Sequence, residues 1–137
     1  MKKHSFSIFT RMKESFGKDE KLKSKILINK LFTEGKSIKK FPLKLIYIPL
    51  ETSEKQTFKT GVSVPKRNFK LAVNRNRIKR LMREVFRKNK YIVYSLGQPY
   101  AFMFIYLGRK EENYQKLEQK MQALLTQFAT DTKQARR

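Results

Sequence analysis

Positive charge is concentrated in one stretch of the sequence, from Lys66 to Lys90. The stretch contains eleven Lys or Arg residues and a single acid, Glu84. On a helix, Glu84 is spaced to pair with Arg80 and Lys88 at i±4. One carboxylate cannot neutralise so many cations, and an ordinary solvated helix face interleaves both signs. The asymmetry therefore favours a surface that binds a polyanion, with nucleic acid as the first candidate.

The same stretch carries apolar residues at helical spacing, which predicts a helix over residues 69–90 with Asn68 as its N-cap. At about 100° per residue, five apolar side chains share one sector of this helix: Ile78, Leu81, Met82, Val85 and Phe86. The opposite sector holds Asn76, Arg80, Arg83 and Arg87, flanked by Arg77 and Lys79. Arginine suits bidentate phosphate contacts and stacking on bases. We therefore predict a basic stripe held rigid by a buried stripe, which excludes a disordered tail.

The composition of the whole chain agrees with this interpretation. Its 137 residues carry a formal charge of +22, and 39% of them are hydrophobic, including 11 Phe. That content is enough for a core, so whole-chain disorder is excluded. An anionic membrane surface is the second candidate partner. It is disfavoured because a helix lying on a membrane would expose the apolar stripe that a small sheet needs for its core.

Several classes of site are excluded by residue type. The chain has no Cys, so it forms no disulfide, no Cys-ligated zinc site and no thiol nucleophile. Its one histidine, His4, lies in a basic, polar stretch and is interpreted as a solvated residue. The longest apolar run, residues 100–107, is too short to span a bilayer, and the N-terminus lacks the apolar core of a secretory signal. We expect a cytoplasmic protein.

The remaining patterns predict an α+β fold, a small two-layer sandwich in the order α-β-β-α-β-α. The second and third strands are joined by a β-α-β crossover. Besides the basic helix, a flexible basic arm (1–18) and a helix from Asp19 that stops at Gly35 are predicted. Strands over 42–50 and 57–64 are predicted to pair as a hairpin across a polar turn (51–56). A buried strand (100–107), a helix (111–130) and a basic tail (131–137) are predicted to follow. Residues 19–130 form the single predicted RNA-binding domain.

This order of elements narrows the type of nucleic-acid binding. A helix-turn-helix needs adjacent helices, whereas the helices here are separated by strands. The order and the aromatic signature of the RNA-recognition fold are both absent. The residues alone thus indicate a basic α+β protein that binds folded or single-stranded RNA.

The run GVSVPKRNFKLAVNRNRIKRLMREVFR, residues 61–87, resembles the signature of the protein subunit of bacterial ribonuclease P. The matching groups are Ser63-Val64, Lys66-Arg67, Ala72-Val73, Arg75-Asn76-Arg77 and Lys79-Arg80, and the similarity extends upstream to LINKLFTEGKS, residues 27–37. Ile28 stands where the family often has an aromatic residue. The loop that follows Arg67 is longer than the family's and lacks its usual Gly.

The resemblance implies an endoribonuclease that acts as a ribonucleoprotein. The holoenzyme removes the 5′ leader from precursor tRNA by Mg²⁺-dependent phosphodiester hydrolysis. The implied partners are the catalytic RNA and precursor tRNA, with no membrane and no obligate protein partner. The RNA is expected to bind the Mg²⁺ and to perform the chemistry, so no catalytic residue is assigned to this chain. Its scattered acids agree, since a protein two-metal site needs converging carboxylates.

The resemblance also implies two RNA-facing surfaces and a left-handed crossover. The first surface binds the catalytic RNA through Lys66, Arg67, Arg75, Asn76, Arg77, Lys79 and Arg80, to which the helical wheel adds Arg83 and Arg87. The second is a leader cleft between the first helix and the sheet, mapped to Ile28, Phe32, Tyr47 (or Ile46), Lys66 and Arg67. Core packing of Phe32 and Tyr47 remains open at this stage. So do two other functions, a structural RNA-binding protein of ribosomal type and a free-standing protein nuclease.

Overall fold

The computed structural model describes residues 20–50 and 58–135. The predicted arm over residues 1–18 and the predicted turn over residues 51–56 lie outside the described residues. Residues 136–137 of the predicted tail lie outside them as well.

The described residues form an α+β fold, as predicted. The helices are α1 (Lys25–Glu34), α2 (Ala72–Asn89), α3 (Tyr91–Tyr94) and α4 (Tyr114–Ala135). The strands are β1 (Lys36–Lys40), β2 (Leu43–Pro49), β3 (Lys59–Ser63) and β4 (Tyr100–Tyr106). The predicted order omits β1 and the short α3. Helix α4 also continues past Thr130, so residues 131–135 are helical rather than tail. No helix in this part of the chain has the length and apolarity needed to cross a membrane.

The strands form one sheet in the order β1-β2-β4-β3. Strand β4 pairs antiparallel with β2 and parallel with β3, so it lies between them. The predicted hairpin between β2 and β3 is therefore wrong. The central position gives the backbone of β4 a hydrogen-bonding partner on each edge. Because β4 is apolar throughout, its side chains also need to be covered on both faces of the sheet. Its predicted burial is confirmed, since residues 101–104 are all buried.

Strand β1 was not predicted from the sequence. It pairs antiparallel with β2, from Lys36 opposite Tyr47 to Lys40 opposite Leu43. Its sequence, KSIKK, has a single apolar residue, Ile38, which packs on the core. Lysine-rich edge strands of this kind resist pairing with other chains, and their composition hides the alternation that identifies a strand.

Helices cover both faces of the sheet, which adds a layer to the predicted two-layer sandwich. Alternate residues of β2 and β4 point to opposite sides. On one side, α1 packs through Leu31 on Ile46, Ile48, Ala101 and Met103. On the other side, α2 and α4 pack on a larger core that contains Leu43, Leu45, Phe102, Phe104 and Tyr106. The crossover from β3 through α2 and α3 to β4 is present as predicted, and its handedness stays a prediction.

Helix α1 begins and ends through local interactions. The predicted start, Asp19, lies outside the described residues, and the helix does not extend over residues 21–24, because Ser24 is the N-cap and accepts a hydrogen bond from the Leu27 amide at 3.3 Å. Its predicted stop at Gly35 is confirmed, with the Gly35 amide donating to Leu31 O at 2.9 Å. A Cβ at Gly35 would lie 2.3 Å from Leu31 O and 2.6 Å from Ile46 Cγ2. Only glycine therefore allows α1 to pack this closely on β2.

A buried ion pair ties the segment before α1 to the end of α2. The carboxylate of Glu20 accepts hydrogen bonds from Lys90 Nζ at 2.6 Å and from Tyr94 Oη at 2.5 Å. The Lys90 side chain is 1% exposed. Burial lowers the pKa of Lys90 and raises that of Tyr94. Nearby, the Leu22 amide donates to Thr60 O at 3.0 Å, so the same segment also lies against the edge of β3.

The substitution Glu20→Gln should lower the free energy of unfolding by about 3 kcal/mol, because it removes the carboxylate from a buried ammonium. Chemical denaturation at neutral pH measures this change. Glu34→Gln, at an exposed acid at the end of α1, is the matched control and should change little. Adding Lys90→Met to Glu20→Gln should restore most of the loss, since an apolar side chain needs no partner there. A loss no larger than the control's would remove the pair from the stabilising contacts.

Candidate nucleic-acid interface

The basic helix α2 is fixed to the core along its predicted apolar stripe. Ile78, Met82, Val85 and Phe86 are buried and Leu81 is partly buried, which confirms the predicted packing. Five apolar residues of α4 lie in the same core: Leu117, Met121, Leu124, Leu125 and Phe128. The opposite side of α2 is therefore presented to solvent on a rigid support.

A buried polar residue also fixes the end of α2. Asn89 donates to Val85 O at 2.7 Å and to Glu118 Oε2 at 3.2 Å. Its own Oδ1 accepts from Gln122 Nε2 at 2.9 Å. Because Glu118 and Gln122 belong to α4, these bonds join the two helices. They also satisfy a buried amide that would otherwise destabilise the fold.

The loop before α2 is organised differently from the prediction. Asn68 is not the N-cap, since Leu71 occupies that position without a side-chain bond. Asn68 Nδ2 instead donates to Leu107 O at 3.4 Å and to Gly108 O at 3.3 Å, which joins the loop to the end of β4. Arg75 folds back on the loop and donates to Phe69 O at 2.8 Å and Lys70 O at 2.9 Å. Its guanidinium thus supports the loop's backbone.

The other predicted cations divide into paired and unpaired groups. Arg77 pairs with Glu111 at 2.8 Å. Glu84 pairs with Arg87 at 2.7 Å rather than with the predicted i±4 partners, and the hydrogen bond from Arg87 lowers the pKa of Glu84. The residues of the predicted set that are exposed are Lys66, Arg67, Asn76, Arg77, Arg80 and Arg83, while Arg75, Lys79 and Arg87 are partly buried. Within the described residues Arg80 and Arg83 are exposed and form no ion pair, so on α2 itself they are available to phosphates.

The predicted leader cleft is only partly assembled by the fold. Ile28 packs on the α1 side of the sheet, and Phe32, one turn later on α1, is 55% exposed, so Phe32 is not a core residue. Tyr47 points to the opposite face of the sheet, where its ring lies edge-on to Phe128 at 4.8 Å. Burial raises its pKa. The assignment of Tyr47 to this cleft is therefore wrong, and the alternative, Ile46, faces α1.

A groove does run beside Ile28, between the start of α1 and the edge strand β3. Its floor is close-packed at Gly61, where a Cβ would lie 3.3 Å from Met103 and 3.4 Å from Leu22. The residues that line it are Lys21, Leu22, Lys23, Ile28, Thr60, Gly61, Val62, Arg83 and Met103. Lys66 and Arg67 lie in the turn after β3 and do not line it. An apolar floor rimmed by cations suits an extended single strand of nucleic acid.

Two residues of this groove, Lys21 and Lys23, were missed from the sequence. They precede α1 in a segment that was predicted to be part of the helix. The bridge between Lys21 and Thr60 is what brings them to β3. Arg83 was assigned to the helix surface alone. In the structure it reaches the groove as well, so one guanidinium lies on both surfaces.

Most of the chain resembles known proteins of one family. The family model described as Ribonuclease P matches residues 16–129. The chain is 34% identical over 117 residues to the ribonuclease P protein component of Porphyromonas gingivalis, which covers 82% of this chain and 85% of the relative. The chain belongs to the ribonuclease P protein family. Membership implies a place in the ribonuclease P holoenzyme, in association with ribonuclease P RNA.

Solved structures of ribonuclease P proteins share this fold. The Staphylococcus aureus RNase P protein matches with a TM-score of 0.63 at 21% identity, over 77% of this chain and 92% of that chain. The Thermotoga maritima RNase P protein matches with a TM-score of 0.63 at 22% identity, over 79% of this chain and 96% of that chain. The four-stranded sheet and its helices are thus the architecture of ribonuclease P proteins.

Replacing Arg80 and Arg83 together by Ala should weaken binding to ribonuclease P RNA. It should also flatten the slope of log K against log salt by roughly 1.4–1.8, for two lost phosphate contacts. Filter binding over a series of potassium chloride concentrations measures the slope. The control, Lys116→Ala with Lys120→Ala, removes the same charge from exposed positions of α4 and should leave the slope nearly unchanged. Equal slopes for the two double variants would exclude Arg80 and Arg83 from the interface.

Proposed function

We propose that this chain is the RNA-binding subunit of ribonuclease P and assists removal of the 5′ leader from precursor tRNA. The exposed side of α2, with its loop, contacts the catalytic RNA. The groove beside α1 holds the single-stranded leader. One observation carries the proposal: Arg83 lies both on the exposed side of α2 and in the groove, so the two surfaces meet at one residue.

The chemistry of each surface fits its proposed ligand. Folded RNA presents phosphates at high density, and unpaired guanidinium groups on a rigid helix contact them in a fixed register. A leader of variable sequence needs contacts that every nucleotide provides. Phe32 and Ile28 offer apolar surface to the bases, while Lys21 and Lys23 attract the phosphates.

The phosphodiester hydrolysis is assigned to the RNA, together with the Mg²⁺ that it requires. Magnesium needs several oxygen ligands in octahedral geometry. Within residues 20–50 and 58–135, no three His, Asp or Glu side chains come close enough to hold a metal ion. The proposal therefore places the Mg²⁺ on the RNA, and gives this chain the role of binding and positioning RNA. We place this reaction in the cytoplasm.

Purified protein should raise cleavage of precursor tRNA by a ribonuclease P RNA at low Mg²⁺, where the RNA alone is slow. The physical reason is that the basic surfaces reduce repulsion between the RNA and its substrate. The rate of leader release is the measurement, with protein alone and RNA alone as controls. Cleavage by protein alone would indicate a protein nuclease. RNA binding without any rate enhancement would indicate a structural protein of ribosomal type.

The substitution Phe32→Leu should reduce the preference of the holoenzyme for leader-bearing over mature tRNA by about 5- to 10-fold, since it removes one stacking surface. Equilibrium binding of the two tRNAs measures the preference. Ile26→Ala is the control, because Ile26 is 82% exposed but lies about 200° around α1 from the groove residue Ile28, whereas Phe32 follows Ile28 by one turn. If Phe32→Leu keeps the full preference, Phe32 does not contact the leader.

A further inference from the structure

An exposed aromatic residue belongs to neither the exposed side of α2 nor the groove beside α1, and it lies on a different element. Phe41 stands at the tip of the hairpin between β1 and β2 and is 61% exposed. Phe41 belongs to neither of the two hydrophobic cores, and it does not line the groove beside α1. Leaving a large apolar side chain in water forgoes the stabilisation that burial would provide.

The backbone around Phe41 is held firmly. The Leu107 amide donates to Pro42 O at 2.6 Å, which joins the hairpin tip to the end of β4. Gly108 lies against Pro42 and the Tyr106 ring, because a Cβ there would be 3.2 Å from Pro42 Cβ and 3.0 Å from Tyr106 Cε2. Tyr106 in turn donates to Lys110 O. Phe41 is thus presented on a rigid platform rather than on a loose loop.

A cavity opens beside the Phe41 ring. Pro42, the Tyr106 ring, Leu107 and Gly108 supply its apolar walls. Its rim carries Arg109, Lys110 and one acid, Glu112. Apolar walls next to an exposed aromatic ring offer a planar base a surface on which to stack. The cations at the rim are placed to meet a phosphate of the same strand.

The charges that surround this cavity are mostly positive and continue into the basic loop before α2. Lys39 and Lys40 precede Phe41 on the hairpin, and Lys39, Arg109 and Lys110 are exposed. Asn68 donates to both Leu107 O and Gly108 O, so the loop that carries Lys66 and Arg67 is hydrogen-bonded to the wall of the cavity. An RNA strand that follows the loop would therefore reach Phe41 over a positively charged surface.

We infer that Phe41 and this cavity form a stacking site for one unpaired RNA nucleotide, with Arg109 and Lys110 on its phosphate. The inference deepens the proposed function by adding a third contact to RNA. It rests on the proposed function only in taking RNA as the ligand.

The chain contains no Trp, so a single introduced indole reports on one position. In Phe41→Trp, stacking of a base should quench the indole fluorescence when a short oligoadenylate is added. Ile26→Trp, at an exposed position that does not line this cavity, is the control and should show no such quenching. Arg109→Ala with Lys110→Ala in the Phe41→Trp chain should raise the oligoadenylate concentration needed for half-quenching several-fold.

Two further ligands test what the site recognises. A blunt RNA duplex has no free base and should quench Phe41→Trp weakly, as should heparin, a polyanion without bases. Quenching by heparin equal to that by oligoadenylate would overturn the inference. So would equal quenching of Phe41→Trp and Ile26→Trp. A blue shift with phosphatidylglycerol vesicles and no quenching by RNA would assign the site to a lipid surface.

A second measurement avoids the introduced Trp. Oligoadenylate with one 2-aminopurine should lose fluorescence on binding the unsubstituted chain and lose measurably less on binding Phe41→Leu, which keeps apolar bulk without a stacking face. An equal loss with both chains would overturn the inference.

Stimulation of ribonuclease P RNA is assayed separately. If the unsubstituted protein stimulates cleavage but Phe41→Trp reports no stacking, this inference fails and the proposed function stands.

Discussion

Burial of β4 on both faces is the constraint on which the rest of the structure depends. Its side chains alternate between two cores, so helices must cover both sides of the sheet. That requirement places α1 on one side and α2 with α4 on the other. The groove and the basic helix consequently lie on different sides of one thin sheet, and β3, at its edge, separates them. Arg83 extends past this edge, so the two surfaces meet there.

The sequence predicted what local periodicity encodes. The buried stripe of α2, the buried strand β4 and the stop at Gly35 are all confirmed, because each depends on residues close together in the chain. The assignment of Tyr47 to the leader cleft was wrong because neighbouring residues of a strand face opposite sides of the sheet. Ile46 faces α1, so Tyr47 faces the other side. Strand β1 was not predicted because its lysines leave only one apolar residue, which is too few to show a strand's alternation. The roles of Glu20 and Asn68 depend on partners distant in sequence, which no local pattern reveals.

Net charge identified the type of ligand but not the residues that contact it. Folding engages part of the positive charge in internal contacts: Arg75 supports a loop, Arg77 and Arg87 pair with acids, and Lys90 is buried. A helical wheel cannot make this distinction, since it treats all exposed cations alike. Geometry separates these residues from Arg80 and Arg83, which are exposed and which no acid of the described residues pairs with. The positions of the few acids therefore help to decide which cations remain open to a polyanion.

The meeting of both surfaces at Arg83 has a consequence for how the subunit would work. Two RNA strands that approach the same guanidinium repel each other, and a cation between them reduces that repulsion. Under the proposed function, the leader and the catalytic RNA would share this cation. The rigid packing of α2 then matters as much as its charge, because a mobile arginine could pair with either strand alone. Ile78, Met82 and Phe86 fix the helix so that Arg83 remains at the edge of β3. Under the proposed function, the apolar stripe thus contributes to RNA binding through the position that it gives to Arg83.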